Sequence, residues 1–152
     1  MTNETLIELL NRGIARELQV SIQYMWQSIQ VTGIDGEVAK DIFRKTAIAE
    51  MKHAQRLAER IDYLDGVPTI KPDEIHIGDS LVEMLRDDEQ SEEEAITLYK
   101  QAIQVAQKEG DYTTRRILEE ILAEEESHID TFGKLIVGMT EPFTQPETSN
   151  VG

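Results

Sequence analysis

Proline occurs at only four positions, Pro68, Pro72, Pro142 and Pro146. A proline ring removes one backbone N–H and clashes with the preceding helical turn. Residues 1–67 and 73–141 are therefore free to run as long helices. Gly33 and Gly36 interrupt the first stretch, Gly110 interrupts the second, and Gly138 closes it. Apolar residues recur at three- and four-residue spacing on both sides of these breaks. The pattern predicts four helices, about Asn3–Thr32, Glu37–Leu64, Leu81–Glu109 and Tyr112–Val137. Ser80 and Glu83 suit a capping box at the start of the third helix, and the Asp65-Gly66 pair suits a stop for the second. No segment alternates as a long strand does, so the expected class is all-α.

Connection lengths set the expected topology. The first and last links are short, which makes two helical hairpins. The middle link, Asp65–Asp79, is long. Fully extended it reaches roughly 45 Å, and a helix of the predicted length is also about 45 Å long. It can run the whole length of a bundle, with Val67, Ile70, Ile75 and Ile77 as apolar residues to dock. The expected division is residues 1–138 as a four-helix bundle and 139–152 as an extended or disordered tail, because Pro142, Pro146 and mostly polar neighbours make a poor helix.

Within this frame the sequence repeats a chemical pattern. Glu17 is followed seven residues later by Tyr24, and Glu50 is followed three residues later by His53. The second half repeats this as Glu92, Tyr99, Glu125 and His128, each 75 residues beyond its counterpart. A seven-residue step is nearly two helical turns and a three-residue step nearly one, so each pair shares a helix face. Each glutamate also sits on an apolar stripe: Leu10, Ile14, Val20 and Tyr24 around Glu17; Phe43, Ala47, Leu57 and Ile61 around Glu50; Leu85, Ile96, Tyr99 and Ile103 around Glu92; Leu118, Ile121, Ile129 and Phe132 around Glu125. A lone charge does not belong there. All four fall near mid-helix and meet in one layer of an equal-length bundle. Four carboxylates buried together repel or take up protons. Two divalent cations bring +4 and resolve the conflict. His76 lies outside the pattern and reads as an ordinary loop residue.

Charge and cysteine usage narrow the chemistry. Thirty acidic residues against fifteen basic ones give a formal net charge of −15. This excludes nucleic acid as a partner, which needs a basic footprint, and favours cations. The absence of cysteine excludes disulfides, thiolate zinc sites and iron–sulfur clusters. The first ten residues do not form a signal peptide and no apolar run spans a membrane, so a cytoplasmic protein is expected.

One Glu from each of two helices plus Glu-x-x-His from each of the other two is the ferritin-like di-metal carboxylate pattern. Glu17-Leu18, Glu50-Met51-Lys52-His53-Ala54, the run Ile77-Gly78 … Glu83-Met84-Leu85-Arg86, and Glu125-Glu126-Ser127-His128-Ile129-Asp130 resemble bacterioferritin in particular. The resemblance implies a ferritin-like four-helix bundle with a long crossover between helices two and three. It implies two iron ions per chain. Glu17 and Glu92 would be terminal ligands, His53 and His128 would bind one ion each, and Glu50 and Glu125 would bridge. Tyr24 and Tyr99 would hydrogen-bond close by. The implied activity is ferroxidase, oxidising Fe(II) to Fe(III) with oxygen or peroxide for iron storage or detoxification. Mixed carboxylate and imidazole ligands suit iron or manganese better than calcium or magnesium.

The matching methionine of bacterioferritin, here Met51, is a haem ligand supplied twice at a two-fold interface. On the helical wheel Met51 lies off the core stripe. Helix one also carries a second apolar stripe, Leu18, Ile22, Met25, Trp26 and Ile29, beyond the single stripe a bundle needs. This predicts a homo-oligomer through helices one and two, with either haem between two Met51 side chains or Met51 filling a dry interface. The chain departs from bacterioferritins in lacking an expected fifth helix, so a dimer and a 24-subunit shell both remain open. It also carries Lys45 and Ala49 where some members hold an inner-surface iron site. Two other functions use the same residues: a peroxide-reducing protein resembling rubrerythrin, and a dimeric haem- or metal-binding module.

Overall fold

The computed structural model describes residues 4–141. It contains four helices, α1 (Leu6–Gln30), α2 (Gly33–Tyr63), α3 (Leu81–Glu109) and α4 (Tyr112–Thr140). They form a four-helix bundle in which α1 packs mainly on α2, and α3 mainly on α4. Among the described residues there is no fifth helix. Most of the predicted tail lies outside the described residues. Its first part does not behave as a tail, since α4 continues through Gly138 to Thr140. No described helix is long and apolar enough to cross a membrane.

The helix ends follow local chemistry. The hydroxyl of Thr5 accepts from the Glu8 N–H while the Glu8 carboxylate accepts from the Thr5 N–H, a full capping box that starts α1. The expected box at Ser80 is only half formed: Ser80 caps the Glu83 N–H, but Glu83 turns its carboxylate to the N–H of Asp79. At the end of α2 the left-handed residue is Asp65, at φ 60°, rather than Gly66. The Gly66 N–H then closes onto the Ile61 carbonyl, a Schellman arrangement. Gly110 does the same at the end of α3 with φ 73°. The first hairpin is tighter than expected, because α2 begins at Gly33, four residues before Glu37. Gly33 supplies a φ of 78° there, and Asp35 sits favourably in the first turn.

The core is split in two. One cluster joins Leu9, Leu10, Ile14, Leu57, Ile61, Leu98, Ala102, Leu118 and Ile121. The other joins Val20, Tyr24, Phe43, Ala47, Met84, Leu85 and Phe132. Every helix contributes to both, and in every helix the glutamates and histidines of the repeat fall between the two contributions. The order in which each helix visits the clusters also fixes direction. Helices α1 and α4 run one way, and α2 and α3 run the other, so the crossover must return along the bundle.

That crossover is held less by apolar side chains than expected. Val67 and Ile70 are exposed, and Ile77 alone of the four packs on the core. Its anchors are polar groups of α1. Asn11 donates to the Val67 carbonyl and accepts from the Thr69 N–H, and the Ala15 carbonyl accepts from the Asp73 N–H. Gln23 accepts from the His76 N–H, and Gln27 donates to the Ile77 carbonyl. Both glutamines also donate to Oδ1 of Asp88, at 2.9 Å each.

Asp88 is fully buried, and burial pushes its carboxyl up to about 7 even though the two glutamine donors act the other way. A carboxyl raised in the folded state favours folding below its unfolded value near 4, and that contribution is lost as pH rises through about 7. Its Oδ2 and the Oε1 of Gln27 are the two atoms in this knot without partners. An amide at position 88 could accept from both glutamines and still offer a donor. The Asp88→Asn protein should therefore match the parent in acid and be more stable by a few kcal/mol at pH 8. Thermal melts across pH 4 to 8 check this, and a parallel loss of stability in both proteins would refute it.

Candidate metal centre

The layer between the two cores is built by all four helices at once. The repeat that puts Glu17 on α1 puts Glu92 on α3, and Glu50 with His53 on α2 is matched by Glu125 with His128 on α4. All four glutamates have no exposed surface and His53 is 1% exposed. His128 is part-buried. The sequence pattern thus converges on one place. Nδ1 of His53 lies 2.9 Å from both Glu50 and Glu125 and 3.7 Å from Glu17. Nδ1 of His128 lies 3.2 Å from Glu50, 3.5 Å from Glu125 and 3.9 Å from Glu92.

The two tyrosines cross over between halves. Tyr24 on α1 donates to Glu92 at 2.8 Å, and Tyr99 on α3 donates to Glu17. Each repeat therefore supplies the hydrogen-bond donor for the other repeat's carboxylate. Gly13 makes room for one of these contacts: a Cβ there would sit 3.1 Å from both the Tyr99 ring and Leu57. Both phenols are pushed upward, first by burial and then by the carboxylates they face. They remain donors across the physiological range.

The donor atoms resolve into two overlapping groups. Glu17, Glu50, His53 and Glu125 offer ligand atoms all within 4.8 Å of one another, and so do Glu50, Glu92, Glu125 and His128. Glu50 and Glu125 belong to both. Glu92 Oε2 and Glu125 Oε1 are buried with no hydrogen-bond partner. Arg16 Nη2 lies 3.1 Å from Glu92 Oε2 and His53 Nδ1 lies 2.9 Å from Glu125 Oε1, so both oxygens face positive charge without a well-directed hydrogen bond, and they fit a site made for cations.

Two residues at the layer carry no signal in the repeat. Glu124, exposed on α4, approaches Nε2 of His53 from outside. Arg16 inserts its guanidinium into the carboxylates: 2.6 Å to Glu125, 3.1 Å to Glu92, 3.3 Å to Glu17 and 3.5 Å to Glu50. No apolar stripe in the sequence singles it out. Leu9, Gly13, Arg16, Val20, Gln23 and Gln27 follow each other at helical spacing and are all buried, a second column on α1 that is half polar.

The electrostatics are those of a crowded anionic site. Burial, followed by Glu17, Glu92 and Glu125, pushes Glu50 well above the usual carboxylate range. Burial does the same to Glu92 against the pull of Arg16. Glu125 is the exception: burial would raise it, but Arg16, aided by hydrogen bonds that include both histidines, holds it well below that range. His53 is opposed by burial yet pushed up to about 10 by its hydrogen bonds to Glu125 and Glu17.

Comparison with known proteins agrees with this geometry. A family model described as a ferritin-like domain matches residues 7–140. Bacterioferritin of Desulfovibrio desulfuricans is 36% identical over 126 residues, covering 82% of this chain and 70% of that protein. Bacterioferritin of Brucella melitensis is 35% identical, with 82% and 78% covered. The chain belongs to the bacterioferritins of the ferritin-like family. A crystal structure described as a ferritin-like, diiron-carboxylate protein from Bacillus anthracis superposes with a TM-score of 0.84 at 33% identity, covering 86% of this chain and 94% of that one. The buried Glu/His layer of this chain is of the kind that the diiron-carboxylate description of that structure implies.

Burial and crowding favour the protonated forms of Glu50 and Glu92 in the metal-free layer, so pH must act on it. The imidazolium of His53 contributes fully below 6.5 and its contribution is lost as pH rises through about 10. Glu50 and Glu92, also raised, lose theirs in the same direction. Chelator-treated protein should lose up to several kcal/mol between pH 6.5 and 10, and His53→Gln should reduce that slope. A wild-type melting temperature that is flat or rising over this interval would contradict the assignment.

Proposed function

We propose that the chain is a ferroxidase that oxidises Fe(II) at a paired site, with oxygen or hydrogen peroxide as the oxidant, in iron storage or detoxification. The observation that carries this reading is the sharing of Glu50 and Glu125 by two four-residue ligand groups. Glu17 and His53 complete one half, and Glu92 and His128 complete the other. Two Fe(II) ions yield two electrons together, which suffices to take oxygen to peroxide or peroxide to water.

The protein's own part is to prepare the site. Four carboxylates balance the charge of two Fe(II) ions, so the pair is neutral within a dry layer. Tyr24 and Tyr99 fix the terminal carboxylates Glu92 and Glu17 by hydrogen bonds from the opposite half. Each histidine turns Nδ1 towards the carboxylates. Glu124 accepts at Nε2 of His53 from the solvent side, which fixes the ring as outer carboxylates do for metal-binding histidines.

An anaerobic titration should saturate at two Fe(II) per chain, and oxygen should then oxidise them much faster than in buffer. Glu50→Ala removes a ligand common to both halves and should reduce oxidation to the buffer rate. Wild-type kinetics in that variant would dismiss the bridged site.

A second observation supports assembly through α1 and α2. Trp26 is 51% exposed, Ile29 67% and Met51 46%, with Ile48 exposed beside them. So much apolar surface on the outside of one hairpin suits burial against a second copy. Haem held between two Met51 side chains would share that interface. Trp26→Glu should convert the assembled protein to a smaller species by native mass, and an unchanged mass would remove this face from the interface.

A further inference from the structure

Among the described residues Arg16 is the one arginine or lysine within the carboxylate layer, and the ferroxidase reading leaves it without a role. Its side chain is buried, and its guanidinium lies within 3.5 Å of all four glutamates. The fit is incomplete. Nη1 makes the two hydrogen bonds, to Glu17 and Glu125, whereas Nε and Nη2 are buried without hydrogen-bond partners. A guanidinium has five donors in a fixed planar fork. Here that fork is used for its charge more than for its geometry.

Charge counting shows the conflict. Four carboxylates and two Fe(II) ions sum to zero. Adding Arg16 leaves a positive excess in a dry layer. The guanidinium also contacts the same four carboxylates that the ions need. Arg16 and a filled metal pair therefore compete for one set of ligands.

The side chain has somewhere to go. Arg16 also lines a surface cleft between α1, α3 and the crossover, together with Ala15, Thr69, Asp73, Glu94 and Leu98. Asp73 and Glu94 offer carboxylates there, and a long flexible stem can carry the head from one place to the other by rotamer changes alone.

We propose that Arg16 is a displaceable internal cation: it holds the metal-free carboxylates together, and metal loading drives it outward into the cleft beside α3. The inference rests on the paired-metal reading above. Arg16 is thus a positioning residue that sets metal affinity. Uptake of the pair becomes an exchange of one cation for two, which stabilises the empty site while making it weaker for metal.

Anaerobic Co(II) titration and melting of chelator-treated protein test this without turnover. Arg16→Gln should melt lower than wild type when metal-free, yet bind Co(II) at least tenfold more tightly, still at two ions per chain. A residue that merely stabilises the fold would weaken or leave unchanged the binding, and that result overturns the proposal. Wild-type protein gives a second measurement that needs no variant. Phenylglyoxal modification of Arg16, followed by peptide mass, should be slow in the metal-free protein and severalfold faster once Co(II) is bound. Equal or slower labelling on loading also overturns it. If wild type takes up fewer than two Co(II) ions, the paired-metal reading itself fails, which is a separate outcome from two ions binding with Arg16 unmoved.

Discussion

Four carboxylates in one dry layer repel one another, and burial deprives each of the water that would otherwise stabilise its charge. The remainder of the molecule is arranged around that constraint. The layer interrupts the core, so each helix buries one apolar segment on either side of it, and the two clusters act as jaws that keep the carboxylates at a fixed spacing. Long helices are needed because each must supply two core segments and a functional turn between them. The protein relieves the repulsion by several means at once. Tyr24 and Tyr99 donate hydrogen bonds, Glu50 and Glu92 are pushed towards the neutral acid, His53 is held as a cation, and Arg16 lies among the oxygens.

The crossed tyrosines show how the repeat becomes a single site. On one helix Glu17 and Tyr24 merely share a face. In the bundle, α1 and α3 run in opposite directions, so a tyrosine two turns along from its own glutamate arrives beside the other half's glutamate. The same antiparallel relation requires the crossover to travel the bundle's length. Its path over α1 is fixed by amide side chains rather than by apolar docking, and Gln23 and Gln27 join it to Asp88 on α3. The loop thus ties together α1 and α3, the helices that carry Glu17 and Glu92.

The repeat and the helix punctuation were legible because each is local: spacing places side chains on a face, and proline and glycine mark where a face ends. The bounds of α3 follow directly from Ser80 and Gly110. The start of α2 did not, because Gly33 can serve as the turn itself rather than as a break before it, and only the path of the chain decides. Val67 and Ile70 misled for a different reason: an apolar residue in a loop can be left exposed when the backbone finds polar anchors. Arg16 was hidden because its meaning is non-local. Next to Glu17 it reads as an ordinary surface neighbour, and only the approach of Glu92 and Glu125 from α3 and α4 shows that its side of α1 is interior.

That non-locality bears on how the site must operate. A site whose only compensating cations arrive with the substrate would fold badly when empty, because the carboxylates would face one another unbalanced. A site compensated too well by the protein would bind no metal. In the metal-free layer the compensation is divided between protons, which can leave into solvent, and Arg16, which on the proposal above would turn away as metal enters. On the paired-metal reading, protons on Glu50, Glu92 and His53 would exchange for metal at a cost that falls as pH rises. An arginine does not deprotonate in this range, so its charge must be moved rather than removed. Mobility of that one side chain, on a helix otherwise locked between two cores, is what would let the same four carboxylates serve both the empty and the filled layer.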